Sequence, residues 1–313
     1  MEPILFWGLE VIHTVQAHAN PGFTVFMKLV TNFGGTAVYL ALLPFIFWCY
    51  DEEKGIRLGI AIMVSLWINM GLKFLCGQPR PFWPGYDPSV GVIAEFGNGF
   101  PSGHAQISLT LWVIVASWSG KKWVCAAALL LSLLVGFSRI YLGVHFPTDL
   151  FGGWALGALT LCGYFLLSDK IKAALQRGGR RFQMIASAVA AFIMILYRPS
   201  TEILIPGAVV LGMGLAYSIT ANHISFRAAA LFGRRGLGKY LSLAGRYLIG
   251  VAGIAVLFVV SGRIDPGKGS SLYSLFFFLR YALLEFWIYA AAPWIFLRLR
   301  LAEGPVRAEQ VEP

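Results

Sequence analysis

The chain has 313 residues, of which 58% are hydrophobic and only 13% charged. That balance excludes a soluble domain of this length, and apolar runs of about 20 residues recur from end to end, which defines a polytopic helical membrane protein. The formal net charge of +10 is not a nucleic-acid footprint, because the basic residues cluster in short loops between apolar spans, where the positive-inside rule predicts them.

In chain order, residues 4–18 mix apolar and polar positions, with His13, Gln16 and His18, and read as an amphipathic helix lying at the membrane surface. Asn20-Pro21-Gly22 breaks the chain, so residues 1–22 form an interfacial helix and its lead-in. Membrane spans are expected near residues 29–49, 56–75, 103–119, 123–143, 148–167, 183–198, 202–221, 244–261 and 273–296. The expected fold class is therefore all-α, a polytopic bundle of about nine transmembrane helices. A polar loop rich in Pro and Gly, residues 76–101, separates the second span from the third. The tail, residues 302–313, is polar and expected to be disordered. Cys49, Cys76, Cys125 and Cys162 show no ligand or disulfide spacing and read as small core residues. The N-terminus lacks the basic start, short apolar core and cleavage site of a cleaved signal peptide.

The basic loops orient the bundle. Lys121 and Lys122 follow the third span, and Lys170, Lys172, Arg177, Arg180 and Arg181 follow the fifth. Arg227, Arg234, Arg235, Lys239 and Arg246 fall between the seventh and eighth, and Arg298 and Arg300 follow the ninth. All these segments share one face, which is expected to be cytoplasmic. The 76–101 loop and the joint at residues 144–147 then face the opposite side.

That outer side carries the chemistry. Residues 138–149 read Ser-Arg-Ile-Tyr-Leu-Gly-Val-His-Phe-Pro-Thr-Asp. Ionisable groups at the edge of apolar spans are functional candidates by default. Pro147 suits the first turn of a new helix, which leaves His145 in a joint and Asp149 four residues on. A carboxylate so placed fixes the imidazole tautomer and frees the other nitrogen as base or nucleophile. The plainer reading is a His and an Asp capping a helix, with Arg139 reaching lipid headgroups. Two further motifs share the same face: Lys73 with Arg80-Pro81, and Pro101-Ser102-Gly103-His104 at the start of the third span. Each alone has a structural explanation, by headgroup contact or N-capping. Together, Lys73, Arg80, Arg139 and the amides of Ser102 and Gly103 make an anion site suited to a phosphoryl group.

The pattern Lys-x6-Arg-Pro, then Pro-Ser-Gly-His, then Ser-Arg-x5-His-x3-Asp resembles the type 2 phosphatidic acid phosphatase family, with every motif position matched over residues 29–167. That family comprises metal-independent lipid phosphatases, polyprenyl pyrophosphate phosphatases and glucose-6-phosphatase. The nine-span layout and the aromatics Phe82-Trp83 after Arg80-Pro81 also resemble glucose-6-phosphatase. The resemblance implies His145 as nucleophile and Asp149 as its orienting partner. Lys73, Arg80, Arg139 and the Ser102–Gly103 backbone would hold the phosphate, and His104 would act as acid and then base. It implies no cofactor and no metal, and Asp87, Glu95 and Asp149 are too sparse for a two-magnesium cage. Glu95 could line the entrance to the site, but reads first as a solvated loop residue.

Residues 23–168 are thus expected to be a catalytic core of five spans and residues 169–301 a four-helix membrane extension. The expected function is hydrolysis of a phosphomonoester or pyrophosphate, a lipid in preference to a sugar, at the non-cytoplasmic face of a bacterial inner membrane. Partners are the phosphorylated substrate and membrane lipids, with the oligomeric state open. Alternatives are a glucose-6-phosphatase-like sugar phosphatase, a phosphotransferase using the same phosphohistidine, and an anion transporter. No internal repeat supports the transporter. Gly153 and Gly157 form a Gly-x-x-x-Gly expected to pack two helices closely, and Glu285 is expected to pair with Arg280.

Overall fold

The structure is a computed structural model that describes residues 2–196, 201–220, 224, 226–229, 235–267 and 270–303. Arg198, His223 and Arg234, and the tail beyond residue 303, lie outside the described residues. Among the described residues the fold is helical and contains no strand. The chain divides into two compact units, the first built from residues 1–40 and 61–168 and the second from residues 41–60 and 169–313.

The first unit begins with α1 (Glu2–Gln16) and α2 (Pro21–Asn32). Asn20 caps α2, its Oδ1 accepting from Phe23 N at 2.9 Å, and Pro21 takes the first helical position, where its missing N–H costs nothing. The expected single helix at 29–49 is instead two helices set at an angle. α2 ends at Asn32, α3 (Thr36–Phe45) continues into a π-helical turn at Ile46–Tyr50, and the two parts are bent by 45°. The break lies at Gly34 and Gly35, and it has a packing cause. A Cβ on Gly34 would stand 2.9 Å from the His104 carbonyl oxygen and 2.7 Å from Val135 Cγ1. The α2–α3 corner is therefore pressed against the helix that carries His104.

Four helices then place their ends together. α4 (Glu52–Cys76) carries Lys73 in its last turn. α5 (Gly103–Ser117) is capped by Ser102, and α6 (Lys122–Tyr141) carries Arg139 in its last turn. α7 (Pro147–Leu196) has Pro147 first and Asp149 in its opening turn. Basic side chains at two C-termini and an acidic one at an N-terminus agree with the helix dipoles. α4 and α5 are joined by a buried amide ladder, in which Asn69 Nδ2 donates to Gln106 Oε1 at 2.8 Å and Gln106 Nε2 donates to Ser65 Oγ at 2.8 Å. In an apolar surrounding such side-chain pairs satisfy one another and fix helix register. The Gly-x-x-x-Gly works within the unit as expected. A Cβ on Gly153 would meet the Ser102 carbonyl oxygen at 2.5 Å, and one on Gly157 would meet that of Gln106 at 3.1 Å.

α1 is tied into the unit rather than lying loose on a surface. Leu5, Leu9 and Ile12 are buried with Val90 and Phe146. Gln16 Nε2 donates to the carbonyls of Val90 and Tyr141, both at 2.8 Å. Its other face leaves Ile4, Phe6 and Trp7 exposed, as an interfacial helix would.

The second unit contains the α3 end with its π-turn, the distal part of α7, α8 (Thr201–Ile219), α9 (Gly236–Arg263), α10 (Tyr273–Phe286), a second π-turn at Trp287–Ala291 and α11 (Ala292–Arg298). α7 breaks at Gly179, whose φ of 66° lies in the left-handed region that favours glycine. Two expectations are corrected here. Arg246 is not a loop residue at the membrane surface. It is fully buried, donating from Nη1 to Trp48 O at 3.0 Å and Ala228 O at 2.6 Å, and from Nε to Leu301 O at 2.9 Å. Glu285 and Arg280 do not pair. Five residues apart, they project from different sides of the helix. Arg280 instead stacks 3.9 Å over the Phe258 ring and donates to the Phe258 carbonyl at 3.0 Å.

Among the described residues five helices are long and apolar enough to cross a membrane, or six if the bent α2–α3 pair is one span. Gly153→Val tests the close packing beneath α5. Overpacking at such a contact is expected to destabilise by about 1–3 kcal/mol, read as a lowered unfolding midpoint in detergent. A midpoint equal to that of the unaltered protein would contradict the contact.

Candidate active site

Every site residue read from the sequence lies in the first unit, at one end of its helices. The centre is Asp149. Its Oδ2 faces His145 Nδ1 at 2.9 Å and accepts from the Phe146 amide at 3.0 Å. Its Oδ1 accepts from Gln78 Nε2 at 2.5 Å. Its backbone carbonyl accepts from the Ser102 amide at 2.9 Å. One buried residue thus fastens the joint before α7, the tract after α4 and the start of α5. Local sequence explains how it gets there. Gly143 turns the chain with φ 68°, and Pro147 starts a helix whose first turn contains Asp149.

The geometry selects the tautomer. With Nδ1 held by a carboxylate, the hydrogen belongs on Nδ1 and Nε2 presents its lone pair. His145 Nε2 lies 3.3 Å from Arg80 Nη1, on the side of the cationic groups. Burial, followed by the charges of Arg80 and Lys73, pushes the His145 imidazole well below the usual histidine range. The ring is therefore neutral near pH 7, as a nucleophile or base must be. Burial also pulls the Arg80 guanidinium down to about 10, which leaves it charged at neutral pH.

Arg80 and Arg139 are both buried, at 2% and 1% exposure, so their charges act in a low-dielectric setting where they count for more than in water. Arg139 Nη1 donates to Thr31 Oγ1 at 2.8 Å, and its Nη2 pairs with Glu95. Arg139 Nε is buried and, among the described residues, has no hydrogen-bond partner. Such an orphaned donor is rare and calls for an acceptor. Lys73 Nζ donates to the carbonyls of Asn98 at 2.6 Å and Gly99 at 3.0 Å. His104 lies in the first turn of α5, within electrostatic reach of Arg139, Arg80 and Lys73.

Two expectations change in detail. The Ser102 amide is not available to an anion, because Asp149 O holds it, and the Ser102 hydroxyl accepts from Ala105 N as an N-cap. The amides of Gly103 and His104, in the first turn of α5, have no intrahelical acceptor and remain the donors at that helix start. Glu95 is not a solvated loop residue. It pairs with Arg139 and lies 3.9 Å from Arg80 Nη2. Sequence reasoning also missed the role of Gln78 on Asp149. Gln78 lies only two positions before Arg80, yet no spacing rule links it to a carboxylate 71 residues away. Among the described residues no group of three His, Cys, Asp or Glu side chains is disposed to hold a metal ion.

Comparison with known proteins shows the family. Residues 54–173 match the PAP2 superfamily, and residues 204–304 match the PAP2 superfamily phosphatase transmembrane extension. An undecaprenyl-diphosphatase of Sulfolobus acidocaldarius is 32% identical over 173 residues, which cover 50% of this chain and 84% of that protein. Phosphatidylglycerophosphatase B of Bacillus subtilis is 29% identical over 170 residues, covering 49% of this chain and 79% of that protein. Human glucose-6-phosphatase 3 is 25% identical over 303 residues, covering 80% of this chain and 84% of that protein. The chain belongs to the PAP2 superfamily of membrane phosphatases.

Gln78→Leu removes one donor from a buried carboxylate and is expected to cost about 1–3 kcal/mol of stability. Gln78→Glu, which sets a second carboxylate against Asp149, should cost more. Thermal unfolding in detergent gives the order, and equal midpoints for the two variants would contradict the contact.

Proposed function

We propose that the protein hydrolyses a lipid phosphomonoester or diphosphate through a phosphohistidine formed on His145. The observation that carries this reading is an imidazole held by Asp149 at Nδ1, whose Nε2 lies 3.3 Å from the buried Arg80 guanidinium, with a second buried guanidinium in the same unit, that of Arg139, whose Nε has no partner among the described residues. In the first step Nε2 attacks phosphorus as the P–O bond to the leaving group breaks. A protonated His104 gives its proton to the leaving oxygen. Asp149 stabilises the positive charge that the His145 ring acquires, while Arg80, Arg139, Lys73 and the Gly103 and His104 amides stabilise the equatorial oxygens. In the second step His104 takes a proton from water, the hydroxide attacks phosphorus, and the N–P bond breaks to return neutral His145 and release phosphate.

A lipid is favoured by what the outer loop has left to offer. Three of the four polar groups that might have held sugar hydroxyls are committed to the protein. Gln78 holds Asp149, Asn98 Nδ2 donates to Lys73 O at 2.8 Å, and Asp87 pairs with His13 at 2.8 Å and accepts from Ser89. The fourth, Tyr86, packs its ring against Phe6 and Phe146. Phe96, by contrast, is 89% exposed, which suits contact with an amphiphile. Relatives named for undecaprenyl diphosphate and phosphatidylglycerophosphate are in keeping with such a substrate. A soluble sugar phosphate remains the second reading, favoured by the similarity to glucose-6-phosphatase 3 across the extension as well as the core.

For topology we infer nine crossings. Added to the six spans are the two shorter apolar helices α5 and α8 and the second half of α7 beyond Gly179. The basic loops support a site on the non-cytoplasmic face, for which a bacterial inner membrane offers the periplasmic side. In a cysteine-free background, a cysteine at Ser89 should react with an impermeant reagent from outside and one placed in the 170–181 segment should not. The reverse pattern would move the site to the cytoplasm.

Activity is tested by phosphate release with EDTA present, from phosphatidic acid, phosphatidylglycerol phosphate, polyprenyl diphosphate and glucose 6-phosphate, each lipid in short-chain and long-chain form. His145→Ala should abolish turnover. His104→Ala should fail on ordinary esters yet accumulate phosphoenzyme from an ester with a good leaving group. Turnover by His145→Ala at the unaltered rate would rule out the mechanism. Equal kcat/KM for glucose 6-phosphate and the best lipid would reject the lipid preference.

A further inference from the structure

The cations assigned above to a phosphate are already engaged, and by one short stretch of chain. Glu95 pairs with Arg139 Nη2 and lies 3.9 Å from Arg80 Nη2. The next four carbonyls follow in order. Phe96 O accepts from Arg80 Nη2 at 2.9 Å and Gly97 O from Arg80 Nε at 2.7 Å. Asn98 O and Gly99 O accept from Lys73 Nζ at 2.6 and 3.0 Å. Glu95 carries the only formal charge in residues 91–100. Its side chain is 26% exposed where those of Arg80 and Arg139 are 2% and 1% exposed. The carboxylate thus stands between the outside and the two guanidinium groups.

We propose that Glu95 is a specificity-determining residue, whose carboxylate occupies the phosphate seat against phosphodiester headgroups and yields it to phosphomonoesters and diphosphates. The inference rests on the phosphatase reading. A site at headgroup depth is bathed in phospholipids, nearly all of them phosphodiesters, and a bare cluster of basic side chains binds such headgroups. A phosphodiester carries a single negative charge, as does Glu95. Exchanging one for the other gains no charge, and the tethered carboxylate has the advantage of its high effective concentration. A phosphomonoester carries about −1.5 to −2 at pH 7. In a low-dielectric cradle with two guanidinium groups and an ammonium, that added charge favours displacement. Rotation of the Glu95 side chain suffices. It frees Arg139 Nη2 to join the unpartnered Nε on the same guanidinium, while the four carbonyl contacts stay in place.

The test compares the purified full-length protein with Glu95→Gln in neutral-detergent micelles. Phosphatidic acid is the substrate, and phosphatidylglycerol, a phosphodiester, is added as competitor. The unaltered protein should show less than about a twofold rise in apparent KM at competitor levels that raise that of Glu95→Gln about tenfold. Glu95→Asp, which keeps the charge, should restore most of the resistance. Native mass spectrometry gives a readout independent of turnover, and Glu95→Gln should retain phosphatidylglycerol where the unaltered protein does not. Equal competition and equal retention in the two proteins would overturn the proposal, whether or not the variant is active. Retention confined to Glu95→Gln, with no phosphate released by the unaltered protein from any ester, would leave the diester exclusion standing and remove the phosphatase reading instead.

Discussion

The carboxylate of Asp149 is the fastening on which the site depends. It is fully buried, and an ionised group so placed is costly unless its lone pairs are filled. The protein fills them from two separate parts of the chain, with Gln78 after α4, and the Phe146 amide and His145 ring in the joint before α7. The backbone of the same residue holds the Ser102 amide and so sets where α5 begins. Electrostatic necessity and geometric assembly are here one requirement. Satisfying the carboxylate brings the three motifs to one place and leaves His145 Nε2 pointing at the cations.

The second constraint is the burial of like charges. Arg80 and Arg139 are almost wholly enclosed, with Lys73 beside them, and in such a setting mutual repulsion and desolvation both oppose folding. Residues 95–99 answer this with one carboxylate and four carbonyl oxygens. The segment is therefore more than a connection between α4 and α5. It is the counter-ligand that lets three buried cations stand together, and among the described residues it leaves Arg139 Nε without a partner.

The second unit uses the same physics for a structural end. Arg246, as deeply buried as the arginines of the site, spends its donors on the carbonyls of Trp48, Ala228 and Leu301, amid the aromatic cluster of Phe47, Phe226 and Phe296. Trp48 lies in a π-helical turn, where the widened backbone leaves carbonyls to be satisfied from outside the helix. Buried arginines thus serve different ends in the two units. Three hydrogen bonds of Arg246 close on backbone carbonyls, whereas among the described residues Arg139 Nε has no partner.

The sequence by itself determined the membrane class, the helical fold and the three motifs. Those properties are local or compositional: apolar runs of spanning length, Pro147 opening a helix four residues from the histidine's carboxylate partner, Lys and Arg at C-terminal turns. It also carried the family, because the three motifs keep their internal spacing. Only the tertiary structure decided how those residues are used. The break at Gly34 depends on the approach of α5, the role of Gln78 on a residue 71 positions away, and that of Glu95 on an arginine 44 positions away. Arg246 reads as a surface charge until the chain folds around it, and the Ser102 amide reads as an anion donor until Asp149 takes it. Each of these is a pairing between distant segments. The free energy of a buried polar group is set by the partner it finds, and a linear sequence does not specify that partner until packing has brought the two together.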